Sequence, residues 1–405
     1  MNDGKGTAGN TLGDVAPDPR WVRWIVGIVF VATLVPGLIG LWFRVSHGHL
    51  SAGYGSYVPW GLWVALYFHG VGIAGGAFVV GGLGHLFDWA GFSDRAVLRA
   101  TIALSVAALL PALLAIWLDL GRMDRAMEIF LRPNFTSMMA FNAWMYGLFL
   151  LLAAVLWVLS FGEDRGWLKP MLCLAMLFAL LFPSQSGAFF GVVEAKKFWH
   201  SALLPFVFLT SALVAGTAVL YVLHALRARS AAAPSQAAEA LGRLRRLLQG
   251  LLVAYFGLEF AEFSIYLWNP GPHAPEVNLI LSGPYWWVFW VVHLLLSGLL
   301  PFVLLAMRWR PGWLAAALLA AVGFVSARLN ILIPAQTVGE LRGLVEAFRH
   351  PRLEYSYEAT TAEYLVGLLL VAVGLGVFLA ARRAEGVVLR LRAAGARAEE
   401  KHHVG

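Results

Sequence analysis

The stretch Tyr57–His85, YVPWGLWVALYFHGVGIAGGAFVVGGLGH, decides how the rest of the chain is read. At about 1.5 Å per residue it is long enough to cross roughly 30 Å of hydrocarbon. It opens with Trp60 and Trp63, side chains that favour the interface between lipid and water. One ionisable residue, His69, follows, and then the glycines Gly70, Gly72, Gly75, Gly76, Gly81, Gly82 and Gly84. Backbone this bare admits either a closely packed neighbouring helix or a flat ligand. The stretch therefore reads as a membrane helix with a buried histidine beside a small-residue face.

The whole chain has the same character. Its 405 residues are 60% hydrophobic and 13% charged, with 17 Trp and 26 Phe. This is the composition of an all-α polytopic membrane protein rather than a soluble enzyme with one anchor. The net charge of +7 does not point to nucleic acid, because the basic residues fall in short loops between apolar runs. Topology accounts for them. A single cysteine, Cys173, rules out disulfides and a self-held iron–sulfur cluster, so a redox cofactor is non-covalent, His-ligated or carried by a partner. Residues 1–20 form a polar tail without the apolar core of a signal peptide, and no cleavage is expected.

Apolar runs long enough to span occur at about 21–43, 57–87, 97–118, 136–160, 168–183, 200–226, 247–268, 284–307, 311–333 and 361–381, which predicts ten helices. Lys and Arg number 20 on the side of the two termini and 9 on the other, so both termini are expected to be cytoplasmic. The long connections are 119–135, 184–199, 227–246 and 334–360. Three of them lie on the predicted outer side, and none is large enough for a soluble catalytic domain. The Ala/Pro/Ser/Gln segment 227–246 reads as a flexible cytoplasmic linker between helices 1–6 (21–226) and helices 7–10 (247–381). Residues 382–405 form a basic cytoplasmic tail. Helices two to five (57–183) and six to nine each begin with Trp and run into small residues. This suggests two four-helix bundles flanked by peripheral helices one and ten.

Ionisable groups within membrane spans are costly and face cavities or partners. His69, His293, Arg328, Glu259 with Glu262, Asp119 and the run Ser184–Gln185–Ser186 come from six helices and gather in the predicted outer half. Glu259 and Glu262 share one helix face at i, i+3, so one of them is expected to hold a proton, which suits a proton relay.

Certain segments, taken in order, carry a resemblance. They are Pro59-Trp60-Gly61-Leu62-Trp63 with its glycine run, Leu118-Asp119-Leu120-Gly121-Arg122, and Pro133-Asn134-Phe135 with Ser137. Ser184-Gln185-Ser186-Gly187, Trp199-His200-Ser201-Ala202-Leu203-Leu204-Pro205, Glu262 and Arg328-Leu329-Asn330 continue the series. The chain resembles the NrfD-type membrane subunits of polysulfide reductase and related complexes, especially their ten-helix branch. Two departures stand out: Tyr357, Ala359, Thr360 and Glu363 occupy a motif that usually carries proline, and Ser137-Met138 stands where Ser-Pro is common.

The resemblance implies a subunit of the cell inner (cytoplasmic) membrane that binds menaquinone or ubiquinone and holds no haem or iron–sulfur cluster of its own. It also implies a ferredoxin-like iron–sulfur partner at the outer face and a separate catalytic subunit, molybdopterin-type or other. A quinone site requires an apolar slot, donors for the carbonyls and a proton route. The slot is expected along Gly72 and Gly76, with His69 as a donor and Tyr57, Trp60, Asp119 and Arg122 at its mouth. Glu262 with Arg328, Glu259 beside them, and Asp119 are the expected proton-handling groups. Two other readings stay open: a haem b cytochrome ligated by His69 and His293, and an ion- or proton-translocating transporter.

Overall fold

The computed structural model describes residues 20–162, 166–228, 234–268, 274–339, 341, 343, 350 and 352–404. Residues 1–19 of the polar N-terminal tail therefore lie outside the described residues, as do 229–233 of the expected linker. Ten helical stretches are long and apolar enough to cross a membrane. In chain order the helices are α1 (Arg20–His47), α2 (Leu62–Leu86), α3 (Arg95–Asp119), the short α4 (Glu128–Leu131), α5 (Met138–Leu159), α6 (Leu168–Gly191) and α7 (Leu204–Arg227). They continue with α8 (Pro234–Trp268), the short α9 (Ala274–Leu281), α10 (Val288–Ala306), α11 (Arg310–Gly323), α12 (Val325–Thr337) and α13 (Thr361–Val404).

Two groups of four spans result. The first is α2, α3, α5 and α6, around Trp63, Phe78, Phe149 and Phe182. The second is α7, α8, α10 and the broken span α11–α12, around Tyr221, Leu248, Tyr255 and Phe324. The remaining helices, α1 and α13, pack on one another and reach the first bundle chiefly through α3. Both peripheral helices thus flank the first bundle. Because α2 also lies against α7, it is the inner wall between the halves: 83% of its apolar window is buried, against 11% for α1.

The glycines of α2 explain that position. A Cβ at Gly76 would collide with the Ala212 carbonyl, and one at Gly216 would collide with the Ala77 amide. The two backbones touch because neither carries a side chain at the crossing. Two further ties cross the same seam. The Trp60 amide donates to Gln336 of α12 (3.0 Å), whose amide donates back to the Trp60 carbonyl (3.1 Å). Trp60 also stacks on Trp199 at 5.7 Å.

Three sequence expectations change. Residues 234–246 of the supposed linker are the first turns of the 35-residue α8, not a flexible join. Pro234 suits a first helical turn, and Ala, Leu, Gln and Arg are good helix formers. Ala240 and Leu244 are fully buried, and Arg245 donates to the Leu305 carbonyl (2.6 Å). The fifth span does not stop at 183 but runs through Pro183 to Gly191, so Ser184–Ser186 are helical. Proline removes only one donor there, and the Ser184 and Ser186 hydroxyls bond carbonyls one turn back. The ninth span breaks at Phe324 into α11 and α12.

Candidate functional site

The expected residues separate into three places. The first is the seam between the halves. His69 is 9% exposed, and its Nε2 lies 2.8 Å from the Ala321 carbonyl of α11. The face of Gly72 and Gly76 is occupied by Ala212 and by Arg328, whose Nη2 would lie 3.3 Å from a Cβ at Gly72. It is a closed helix contact and offers no open slot. Arg328, 3% exposed, sits 4.0 Å over the Phe208 ring and donates to the Phe208 carbonyl (3.2 Å), leaving Nε and Nη1 without hydrogen-bond partners. Among the described residues no ion pair joins it to Glu262.

The second place is the interior of the second bundle. Glu259 accepts from the Tyr255 hydroxyl (3.1 Å) and faces His293 Nε2 (2.9 Å). The other ring nitrogen of His293 lies 3.0 Å from Ser326 Oγ, so both are engaged and neither is free for axial ligation. Glu262 accepts from Ser201 (2.9 Å) and Tyr266 (2.7 Å). The two carboxylates have separate donors.

The third place is the end of the first bundle at which Trp60 lies, hereafter the Trp60 end. Asp119 ends α3 there, beside the Tyr54 hydroxyl, and one of its oxygens is buried without a hydrogen-bond partner. The Tyr54 hydroxyl lies 2.5 Å from His49 Nδ1, and His49 Nε2 lies 3.0 Å from the Arg44 guanidinium. Arg44, at the end of α1, donates to the carbonyls of Leu118 (2.7 Å) and Leu120 (2.9 Å). A cation on those carbonyls complements the negative end of α3 and fixes where Asp119 stands. Burial first, and then the Asp119 carboxylate, hold the Tyr54 phenol above its ordinary value, so it keeps its proton at neutral pH.

Behind this group Glu363, in the first turn of α13, is fully buried. It accepts from the amides of Gly53 (2.8 Å) and Thr360 (3.1 Å) and from the Tyr357 hydroxyl (2.6 Å). The Tyr357 hydroxyl also accepts from the Leu62 amide (2.7 Å), which starts α2. Burial, followed by Glu363, raises the Tyr357 phenol as well. A polar cavity of about 300 Å³, lined by Tyr54, Gly55, Arg352, Glu354 and Glu358, opens beside Tyr54. Trp42, Phe43 and Leu50 on the α1 side and Trp117 of α3 are exposed.

Of the expected mouth residues, Asp119 belongs to this group. Tyr57 is half-buried and stacks on Tyr355 at 4.6 Å, while Trp60 ties the two halves. Arg122 turns to solvent and pairs with exposed Asp124 at 2.8 Å. The sequence reading missed Arg44, His49 and Tyr54, and it noted Tyr357 and Glu363 only as parts of a degenerate motif. The available signal was the pair of ring and hydroxyl donors in the polar run between the first two spans. Among the described residues no cluster of three His, Cys, Asp or Glu side chains is arranged to hold a metal ion.

The polysulphide reductase NrfD family matches residues 51–339. A selenate reductase subunit of Mesobacillus selenatarsenatis is 26% identical over 386 residues, covering 83% of this chain and 89% of the relative. A putative dimethyl sulfoxide reductase membrane subunit of Halobacterium salinarum is 25% identical over 389 residues, covering 86% of each. The Hdr-like menaquinol oxidoreductase integral membrane subunit of Archaeoglobus fulgidus is 26% identical over 193 residues, 48% of each chain. With the family match spanning well over half its length and ten membrane-length helices behind it, the chain belongs to the NrfD polysulphide reductase family of membrane subunits.

Proposed function

We propose that the chain is the quinone-reactive membrane subunit of an oxidoreductase complex, with its site at the Trp60 end between α1 and α3. One observation carries this reading: Asp119 presents a buried, unpartnered carboxylate oxygen beside the protonated phenol of Tyr54, next to a lipid-exposed flank. A quinone ring supplies two-electron, two-proton redox chemistry, and its isoprenoid tail keeps it in lipid. The residues fit such a group. Tyr54 donates a hydrogen bond toward a carbonyl oxygen, and Asp119 takes or returns a proton at its free oxygen. His49, held between Arg44 and Tyr54, connects the pair to the polar loops and carries protons to or from water. Trp42, Phe43 and Trp117 line the lipid approach for the tail. The relative named as a menaquinol oxidoreductase subunit supports the choice of a quinone, with menaquinone or ubiquinone both compatible.

On this reading electrons pass through an iron–sulfur partner docked at the Trp60 end, and substrate chemistry resides on a further catalytic subunit. The excess of Lys and Arg on the opposite side supports a periplasm-facing Trp60 end and cytoplasmic termini in an inner membrane. The test is quinol-dependent electron transfer in the purified complex. Asp119→Asn is expected to abolish it while the assembled complex is recovered in normal yield. Unchanged turnover in that variant removes the site.

A further inference from the structure

The two halves leave an open groove of about 470 Å³ toward the end opposite Trp60. Helices α2 and α7 contribute Val79, Leu83 and Leu213, while α6 and α8 contribute Cys173, Leu177, Leu247 and Leu251. Trp89, three residues past the end of α2, completes one end. At the other, Leu213 follows Ala212 of the close helix crossing. Leu213 stands 14 residues before Arg227, the last residue of α7, which is about 21 Å of helix. That is half of a bilayer roughly 40–45 Å thick with its headgroups, so the groove is one leaflet deep. Cys173 and Leu177 are exposed within a helix of membrane length, which places the open side against hydrocarbon.

The rim of the groove is charged, and the helix periodicity shows how. On α6, Lys169 precedes Cys173 and Leu177 at i, i+4, i+8, so the lysine shares the groove-lining stripe. On α8, Arg243 precedes Leu247 and Leu251 with the same spacing. Both helices start at this end, and helical side chains lean toward the N-terminus. The two cations therefore lean out of the groove toward the headgroups, with their apolar stems along its walls. Trp89 and exposed Trp167 stand at the same level, where indoles favour the lipid–water interface. Exposed Arg246 adds a third cation. The acids nearby are exposed Asp88 and Glu239. Glu239 takes Nε and Nη2 of Arg243 in an exposed, solvent-screened pair, and Nη1 makes no hydrogen bond among the described residues.

We propose that this groove binds one anionic phospholipid, with an acyl chain along Leu177, Leu213 and Leu251 and the phosphate held by Lys169 and Arg243. The lining fits a chain and nothing more polar: apart from the Trp89 indole and the Cys173 thiol, every lining side chain is hydrocarbon or thioether. A quinone ring would find no donors for its carbonyls along it. The rim selects the headgroup, because paired cations at the membrane surface attract an anionic lipid over a zwitterionic one. The lipid fills the gap between α6 and α8 that the α2–α7 crossing leaves open. The proposal does not depend on the quinone site at the Trp60 end.

Native mass spectrometry of the purified, delipidated full-length chain, titrated with phosphatidylglycerol, tests it. One molecule is expected to stay bound at concentrations where phosphatidylcholine and menaquinone-4 do not. The sole cysteine reports the position: phosphatidylglycerol is expected to slow maleimide labelling of Cys173 at least tenfold, and phosphatidylcholine is not. The exposed double variant Lys169→Gln/Arg243→Gln is expected to weaken phosphatidylglycerol binding about tenfold. Leu177→Trp, which obstructs the groove and keeps both cations, is expected to weaken it as much. Equal retention of phosphatidylcholine, displacement by menaquinone-4, unprotected Cys173 or undiminished binding in the double variant overturns the proposal. The wild-type comparisons decide the matter even if a variant fails to fold.

Discussion

Two of the buried polar groups among the described residues are built in opposite ways. At the Trp60 end of the first bundle, Asp119, Tyr54 and His49 are assembled from a helix end, a loop and a 3₁₀ turn, and clamped by α1 and α13 from outside the bundle. In the second bundle, Glu259, Glu262 and His293 project from long helices into a packed interior. A polar cavity of about 300 Å³ opens beside the first group; the space at the second is only about 30 Å³ and is bordered mostly by apolar side chains. The larger space is the one that the proposed quinone reading uses.

This contrast breaks most sharply at Asp119. Asp119→Asn is expected to lower quinol-dependent turnover by about 100-fold or more, the lower range of what a positioned acid or base contributes. A steady-state assay with a short-chain quinol measures it, and activity near wild type would shift the site elsewhere. Tyr54→Phe keeps the ring but removes the donor, and about a tenfold loss in kcat is expected, with the visible change confined to turnover and not to complex yield. His69→Gln preserves a donor for the Ala321 carbonyl at the seam, so turnover within about twofold of wild type is expected. A collapse of activity there, with folding intact, would return the quinone to the glycine face of α2. Arg122→Ala removes only a solvent-exposed pair, and neither melting temperature nor turnover should move measurably. If Arg122→Ala instead impairs electron transfer only in the assembled complex, the arginine belongs to the partner interface.

The ten spans were legible because an apolar run of membrane length has few alternatives, and Asp119 because it ends such a run before Gly121 and Arg122. The seam was not legible. A glycine-rich face looks the same in sequence whether a ligand or a second helix lies on it, and only Ala212 and Gly216 on α7 decide between them. The lipid-side cluster was hidden for another reason. Gly53 and Glu363 are partners across 310 residues of chain, and no local periodicity connects them. The carboxylates at 259 and 262 were correctly placed on one buried helix, but the spacing could not tell that each would find its own tyrosine, at positions 255 and 266, one turn away. Segment 234–246 misled through Pro234 and Ser235 at its start, although its Ala, Leu and Arg content favours the helix it forms.

The close crossing of α2 and α7 also limits how the molecule can move. Transporters that expose a central site to alternate sides do so by rocking one half against the other. Here the pivot is fused: Gly76 and Gly216 sit backbone to backbone, His69 reaches across to α11, and Trp60 grips Gln336 at the membrane edge. Tilting the halves apart would break these contacts together and bare the Arg328 guanidinium at the same seam. These ties favour a chain that stays rigid over one that carries cargo by opening and closing.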